Sequence, residues 1–283
     1  MATGQLQQNV LRDRARRAMS KVPEVTAYFW ITKVLTTGMG ETTSDYLAHQ
    51  LSPMIAVGLA GVCLAAALAL QFYVRRYVVW IYWTAVVMVS VFGTMAADVL
   101  HVGLGIPYLV STAFFMIALA AIFTVWYMSE KTLSIHSIHT RRREAFYWAT
   151  VMATFALGTA LGDMTATTAH LGYFSSGVMF AVLMAVPALA YRLAGLNGIF
   201  AFWFAYIVTR PLGASFADWM GVSHGRGGLE LGTGPVSLVL AIVIVGFVSF
   251  LAVTRRDVAH PSVPGWPATP ARGDDPADAG GVW

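Results

Sequence analysis

Apolar runs of about twenty residues, separated by short polar connections, recur along the chain and predict eight membrane-crossing helices. They lie at about residues 25–47, 53–72, 78–100, 106–128, 145–165, 173–191, 198–220 and 235–254. The charged positions inside them are not scattered: Lys33, Glu41, Asp45, Asp98, Asp163, Arg210 and Asp218 all fall on odd-numbered runs, and the even-numbered runs carry none. Each odd run also holds a tryptophan followed ten residues later by glycine and five further on by aspartate, as Trp30-Gly40-Asp45, Trp83-Gly93-Asp98, Trp148-Gly158-Asp163 and Trp203-Gly213-Asp218.

A marker that returns once for every two spans implies tandem duplication with all copies in one orientation. The predicted fold is therefore an all-α polytopic membrane protein, with eight transmembrane helices as four parallel helical-hairpin repeats at about 23–75, 76–140, 141–195 and 196–256. Charged side chains avoid lipid, so the odd helices are expected to form an inner ring and the even ones a lipid-facing scaffold. Small residues near the aspartates, such as Gly40, Gly93, Gly158 and Gly213, suit close helix contact. The tryptophans, about five residues into each span, are expected to act as interfacial anchors.

Composition agrees: 57% of residues are apolar and 11% charged, against roughly 25% charged in soluble domains. Basic residues sit in the first twenty-two positions (Arg12, Arg14, Arg16, Arg17, Lys21) and after every even-numbered span (Arg75, Arg76, Lys131, Arg141 to Arg143, Arg192, Arg255, Arg256), while the opposite connections hold only Arg226. This asymmetry predicts both termini in the cytoplasm of a multi-pass inner-membrane protein, and it accounts for the net charge of +4 without a nucleic-acid partner. Residues 1–22 read as a basic cytoplasmic tail without a signal-peptide core. Residues 257–283, rich in Pro, Gly, Asp and Ala, read as a disordered cytoplasmic tail. The single Cys63 lies within the second span, so no disulfide framework exists.

The repeat aspartates carry the chemistry. Four carboxylates at equivalent depth, joined by Glu41 where the sibling repeats have Thr94, Thr159 and Ala214, would repel one another unless cations or protons compensate them. Asp45, Asp98, Asp163, Asp218 and Glu41 are thus the candidate metal ligands, with Lys33 and Arg210 as charge-balancing groups. Lys33 and Glu41 lie about 12 Å apart along one helix, so each is expected to meet its partner on another helix, and Arg210 is expected to neutralise an aspartate. His49, His101, His170 and His224 follow the aspartates and are further candidate ligands; imidazole with carboxylate suits transition metals, and it also suits a proton relay. The competing reading is that duplication copied a structural aspartate that bonds neighbouring helices.

The repeats resemble a family of uncharacterised bacterial membrane-anchored proteins built from four copies of a two-helix repeat with a characteristic tryptophan. The resemblance spans about residues 22–253, and the segment Lys33-Val34-Leu35-Thr36-Thr37-Gly38-Met39-Gly40-Glu41 is similar to its first repeat. It implies the eight-span architecture and a bacterial inner membrane, and it supplies no site residues.

The function expected is a secondary transporter or exporter of an inorganic cation, a divalent metal in the favoured form, with proton coupling through Glu41. Its partners are the lipid bilayer, an inorganic cation and protons. No organic cofactor is expected. A cation channel is the nearest variant, a non-transporting scaffold or sensor is the alternative class, and an intramembrane enzyme has only Glu41 and Lys33 as an acid-base pair. Phosphate loops, metalloprotease motifs and haem-attachment motifs are missing from the sequence, so enzymatic activity is not expected.

Overall fold

The computed structural model describes residues 20–258. Both tails expected from the sequence lie largely outside the described residues. Within them are eight long helices, α1 (Ala27–Gln50), α2 (Pro53–Tyr73), α3 (Val79–Asp98), α4 (Tyr108–Glu130), α5 (Arg141–Asp163), α6 (Tyr173–Ala194), α7 (Gly198–Gly221) and α8 (Thr233–Thr254). Thr26, Thr140 and Asn197 accept backbone N–H bonds that open α1, α5 and α7, and Pro53 occupies the first turn of α2, each supplying a start signal where orphan amides need one. Seven helices are long and apolar enough to cross a membrane, which makes this a multi-pass membrane protein. α1 falls outside that set because Lys33, Glu41 and Asp45 lie on it.

Burial separates the helices into two layers. Of the most apolar stretch, 56%, 67% and 72% is buried in α3, α5 and α7, against 22%, 22%, 28% and 22% in α2, α4, α6 and α8. α1 joins the first group, with Lys33, Thr36, Thr37, Glu41 and Thr42 all buried. The four odd helices close a ring, α1 on α3, α3 on α5, α5 on α7 and α7 on α1. The outer helices do not lie chiefly on their own hairpin partners: α2 packs on α3, α4 on α5, α6 on α7, and α8 returns to cover α1. The repeats are therefore interleaved, each outer helix belonging spatially to the next repeat.

The repeat glycines set the ring contacts in strict rotation. A Cβ built on Gly40 would lie 1.8 Å from Ser90 Oγ, on Gly93 2.9 Å from Phe155 Cβ, on Gly158 2.3 Å from Arg210 Cγ, and on Gly213 1.9 Å from Thr37 Oγ1. Ser90, Phe155, Arg210 and Thr37 occupy the same position in their repeats, three residues before the glycine. Each inner helix thus seats one residue in the glycine notch of its neighbour, and the register repeats around a pseudo-fourfold axis.

At the end of the ring next to the basic connections, the aromatic before each tryptophan packs on the tryptophan of the following repeat. Phe29 meets Trp83 at 5.8 Å, Tyr82 meets Trp148 at 5.7 Å, Tyr147 meets Trp203 at 6.2 Å and Phe202 meets Trp30 at 5.7 Å between centroids. Trp83, Trp148 and Trp203 are buried and Trp30 half-buried. The expectation of an interfacial belt is corrected: a tryptophan three to four residues from Lys33, Thr37, Glu41 and Asp45 in successive steps shares their helix face, and that face looks inward. The Tyr82 and Tyr147 hydroxyls bond at 2.5 Å, giving this apolar plug a polar pin.

The packed body reaches further than the membrane domain read from the sequence. Lys21 forms a buried ion pair with Glu144, whose other oxygen accepts from Gln71 Nε2 at 3.1 Å. Asp257 is buried, accepts the Tyr77 hydroxyl at 2.5 Å and offers its carbonyl to Glu24 N at 2.9 Å. Burial, more than the Tyr77 bond, governs the Asp257 carboxyl and raises it above its ordinary value of 3.8. A raised value means that this latch adds stability at low pH and loses it as pH rises through the folded-state value. Comparing melting temperatures of wild type and Asp257→Asn from pH 4 upward is expected to show the wild type losing ground as pH rises, with the amide variant lacking that component. A constant difference between the two curves would contradict it.

Candidate functional site

The ring encloses three polar levels. Nearest the aromatic plug is Lys33, fully buried, with Nζ 4.2 Å from the Phe155 centroid and 4.3 Å from that of Tyr206. No hydrogen-bond partner reaches this nitrogen. The two ring faces offset part of the cost of an ammonium in a dry interior, at about 2 kcal/mol for a desolvated pair.

At the middle level Arg210, fully buried on α7, gathers acceptors from all three other inner helices, two of them from α1. Nη2 bonds Glu41 Oε2 of α1 at 2.6 Å and Thr159 Oγ1 of α5 at 2.8 Å, and also bonds the Thr94 hydroxyl of α3; Nη1 donates to the Thr37 carbonyl at 3.1 Å. Glu41, Thr94 and Thr159 are the residues after the repeat glycines, and the fourth equivalent, Ala214, lies on the helix of Arg210 itself. The planar guanidinium suits such a convergent set of acceptors. Phe155 lies between Lys33 and Arg210, its centroid 5.4 Å from Arg210 Cζ. Glu41 finds its partner on another helix, whereas Lys33 meets only the rings of Phe155 and Tyr206, and the expectation that Arg210 neutralises an aspartate is corrected: it takes Glu41, because its place three residues before Gly213 sets it level with the post-glycine positions.

The outermost level holds the aspartates. Asp218 is buried, and Asp45, Asp98 and Asp163 are half-buried. All four lie within electrostatic range of Glu41 and Arg210. Only Asp98, His101 and Asp163 bring ligand atoms within 4.8 Å of one another among the described residues. His101 is buried, with Nδ1 4.0 Å from Asp163 Oδ2 and Nε2 2.5 Å from Ser111 Oγ of α4. The donor set, one imidazole and two carboxylates, fits a divalent cation. Asp45 and Asp218 stand on the other two inner helices and outside this trio.

The remaining histidines lie elsewhere. His49 is exposed and bonds the Asp45 carbonyl of its own helix at 2.6 Å. His224 pairs with Glu230 at 2.5 Å in the connection before α8, and both are exposed. His170 is exposed with positive φ of 55°. As ligands of a shared site with the aspartates these three are set aside, because all are exposed, His49 bonds its own backbone and His224 bonds Glu230. Sequence reasoning missed Ser111, Tyr108 and Phe155. A histidine three residues after Asp98 signalled the first turn of the site, but a serine on a mostly apolar outer helix gave no comparable sign.

The sequence profile of a family described as Repeat of Unknown Function (DUF347) matches four segments, residues 28–77, 81–132, 146–195 and 201–257. The chain belongs to the DUF347 family. Each DUF347 copy thus contains one inner helix and the outer helix that follows it, so the family repeat is a unit of sequence whose two halves contact different neighbours in space. Among curated proteins and among solved structures nothing matches the chain.

Proposed function

We propose that this DUF347 protein is a secondary transporter of an inorganic cation, a divalent metal in the form the donor set favours, with proton exchange. One observation carries the reading: five carboxylates and two cationic side chains are enclosed by the same ring of helices. Lipid-surrounded helices retain such an excess of acids at a cost that a cation would offset. The reading includes eight spans, since α1, with 24 residues, is about 36 Å long and is shielded from lipid by α3, α7 and α8. Both termini and the basic connections are assigned to the cytoplasm of the inner membrane.

In this scheme the cation enters among the half-buried aspartates, the Arg210–Glu41 pair bars its way, and the aromatic plug closes the cytoplasmic end. On this reading the aspartates are reached from the outside. Passage requires Arg210 to release Glu41 and the inner helices to part at the tryptophans. The gradient of protons or the membrane potential drives the cycle.

Reconstituted protein is expected to move manganese, zinc or cobalt against a pH gradient in proteoliposomes, and Asp98→Asn or Asp163→Asn to lower the flux at least tenfold with melting temperature nearly unchanged, because an amide keeps hydrogen bonding and loses charge. Absence of flux for every cation, with the same variants losing stability, would make the aspartates structural and the protein a scaffold.

A further inference from the structure

We infer that the chain holds one transition-metal dication per molecule, at the junction of α3 and α5, on Asp98, His101 and Asp163. This rests on the cation-transport reading and names the place and class of its tightest site.

The fourfold pattern breaks here. α3 and α5 end at Asp98 and Asp163, and each runs on as a five-residue π-helical turn, Val99–Gly103 and Met164–Thr168. α1 and α7 instead continue as regular helix beyond Asp45 and Asp218, to Gln50 and Gly221. π turns are rare, tend to occur at functional sites, and re-aim the side chains they carry. Here the turn after α3 carries His101, which is buried against α4 with its ring centroid 4.5 Å from that of Tyr108.

The second observation concerns the imidazole protons. Ser111 has one hydroxyl proton, and the nearer of its two carbonyl acceptors, Tyr108 O, lies at 3.0 Å. Its oxygen is then left to accept from His101 Nε2–H at 2.5 Å. That assignment places the lone pair of the neutral ring on Nδ1. This atom is buried, has no hydrogen-bond partner among the described residues and lies 4.0 Å from Asp163 Oδ2. A bare lone pair facing a carboxylate repels it, and a cation between them turns the repulsion into ligation. Ser111 is then the outer partner that fixes the tautomer, as metal-binding histidines commonly require. Bonds of about 2.0–2.2 Å hold ligands no more than about 4.4 Å apart, so a small contraction closes the trio around an ion.

The chemistry of the donors sets the class. One imidazole with two carboxylates favours zinc, manganese, iron or cobalt over the hard cations magnesium and calcium, which take oxygen alone. The other repeats lack the set among the described residues, since His49, His170 and His224 are exposed and none joins carboxylates in a cluster of three ligands. One ion therefore binds, although four aspartates are present.

Cobalt(II) is the probe, because its visible absorption reports nitrogen and oxygen ligation directly. Titrated into the purified full chain, it is expected to saturate at one ion per molecule and to resist a large excess of magnesium. Ser111→Ala, which touches no ion, should weaken binding about 10- to 100-fold, His101→Gln should abolish the nitrogen-ligated spectrum, and the exposed His49→Gln and His170→Gln should change neither. Two or more ions per chain, displacement by magnesium, or binding indifferent to both His101→Gln and Ser111→Ala would overturn the inference. The outcome separates from transport: the cobalt spectrum without flux retains the site and removes the transporter, whereas flux without the spectrum does the reverse.

Discussion

Arg210→Met is expected to destabilise the purified protein by about 3–5 kcal/mol, the usual consequence of removing one partner from a buried ion pair. Methionine fills similar space but strips the Glu41 carboxylate of its cation and leaves the Thr37 carbonyl and the Thr94 and Thr159 hydroxyls without their shared donor. Arg210→Lys should fall between, because an ammonium is a point charge without the planar fork that reaches several acceptors at once. The most informative protein is the double variant Arg210→Met with Glu41→Gln. A neutral pair costs far less to bury than a lone carboxylate, so the double variant should recover part of what the single one loses. Unfolding titrations in mixed micelles measure all three. Wild-type stability in Arg210→Met, or additive losses in the double variant, would show that the guanidinium does not hold the four helices together.

Gly213→Ala should be nearly as damaging. The new methyl group would meet Thr37 Oγ1 at 1.9 Å and the Val34 carbonyl oxygen at 2.8 Å, and a backbone atom cannot swing aside as a side chain can. α1 and α7 must separate, at about 1–3 kcal/mol for overpacking. The same separation lengthens the Arg210 bond to the Thr37 carbonyl, one turn away, so the loss of transport should exceed what the drop in melting temperature alone explains. Gly58→Ala is the control: no atom lies within 4 Å of a Cβ there, and exchanging glycine for alanine within an exposed helix stabilises by up to about 1 kcal/mol. Equal melting temperatures for the two variants would show that the glycine notches do not set the spacing of the ring.

Much of this arrangement is legible in the sequence because the repeat spacing carries geometry. The residues eleven and fifteen positions beyond each tryptophan return to its side of the helix, while the glycine at ten stands about 80° round toward a neighbour, so one pattern forecasts inner helices, their close contacts and the inward acids together. The tryptophans are misplaced when depth along a span is considered without phase around it; the interfacial and internal readings predict the same depth, and only phase separates them. The partner of Arg210 is hidden for another reason. Helix levels are matched by the seating of one residue in the next helix's notch, a register between helices that no linear spacing states. The interleaving of outer helices is likewise invisible, since a short connection between spans suggests a hairpin and does not say which neighbour the second span prefers. The two π turns, which single out one quarter of the ring, leave no mark in hydropathy at all.

The return of α8 to cover α1 also bears on how such a protein comes into being. Glu41 lies on α1, its counter-charge lies 169 residues later in the chain, and α8, the last of the described helices, packs on α1. During synthesis α1 therefore emerges well before α7, which pairs with it, and α8, which covers it. The inner ring closes only once α7 has been made, and on the eight-span reading proposed above α1 needs shelter from lipid until then.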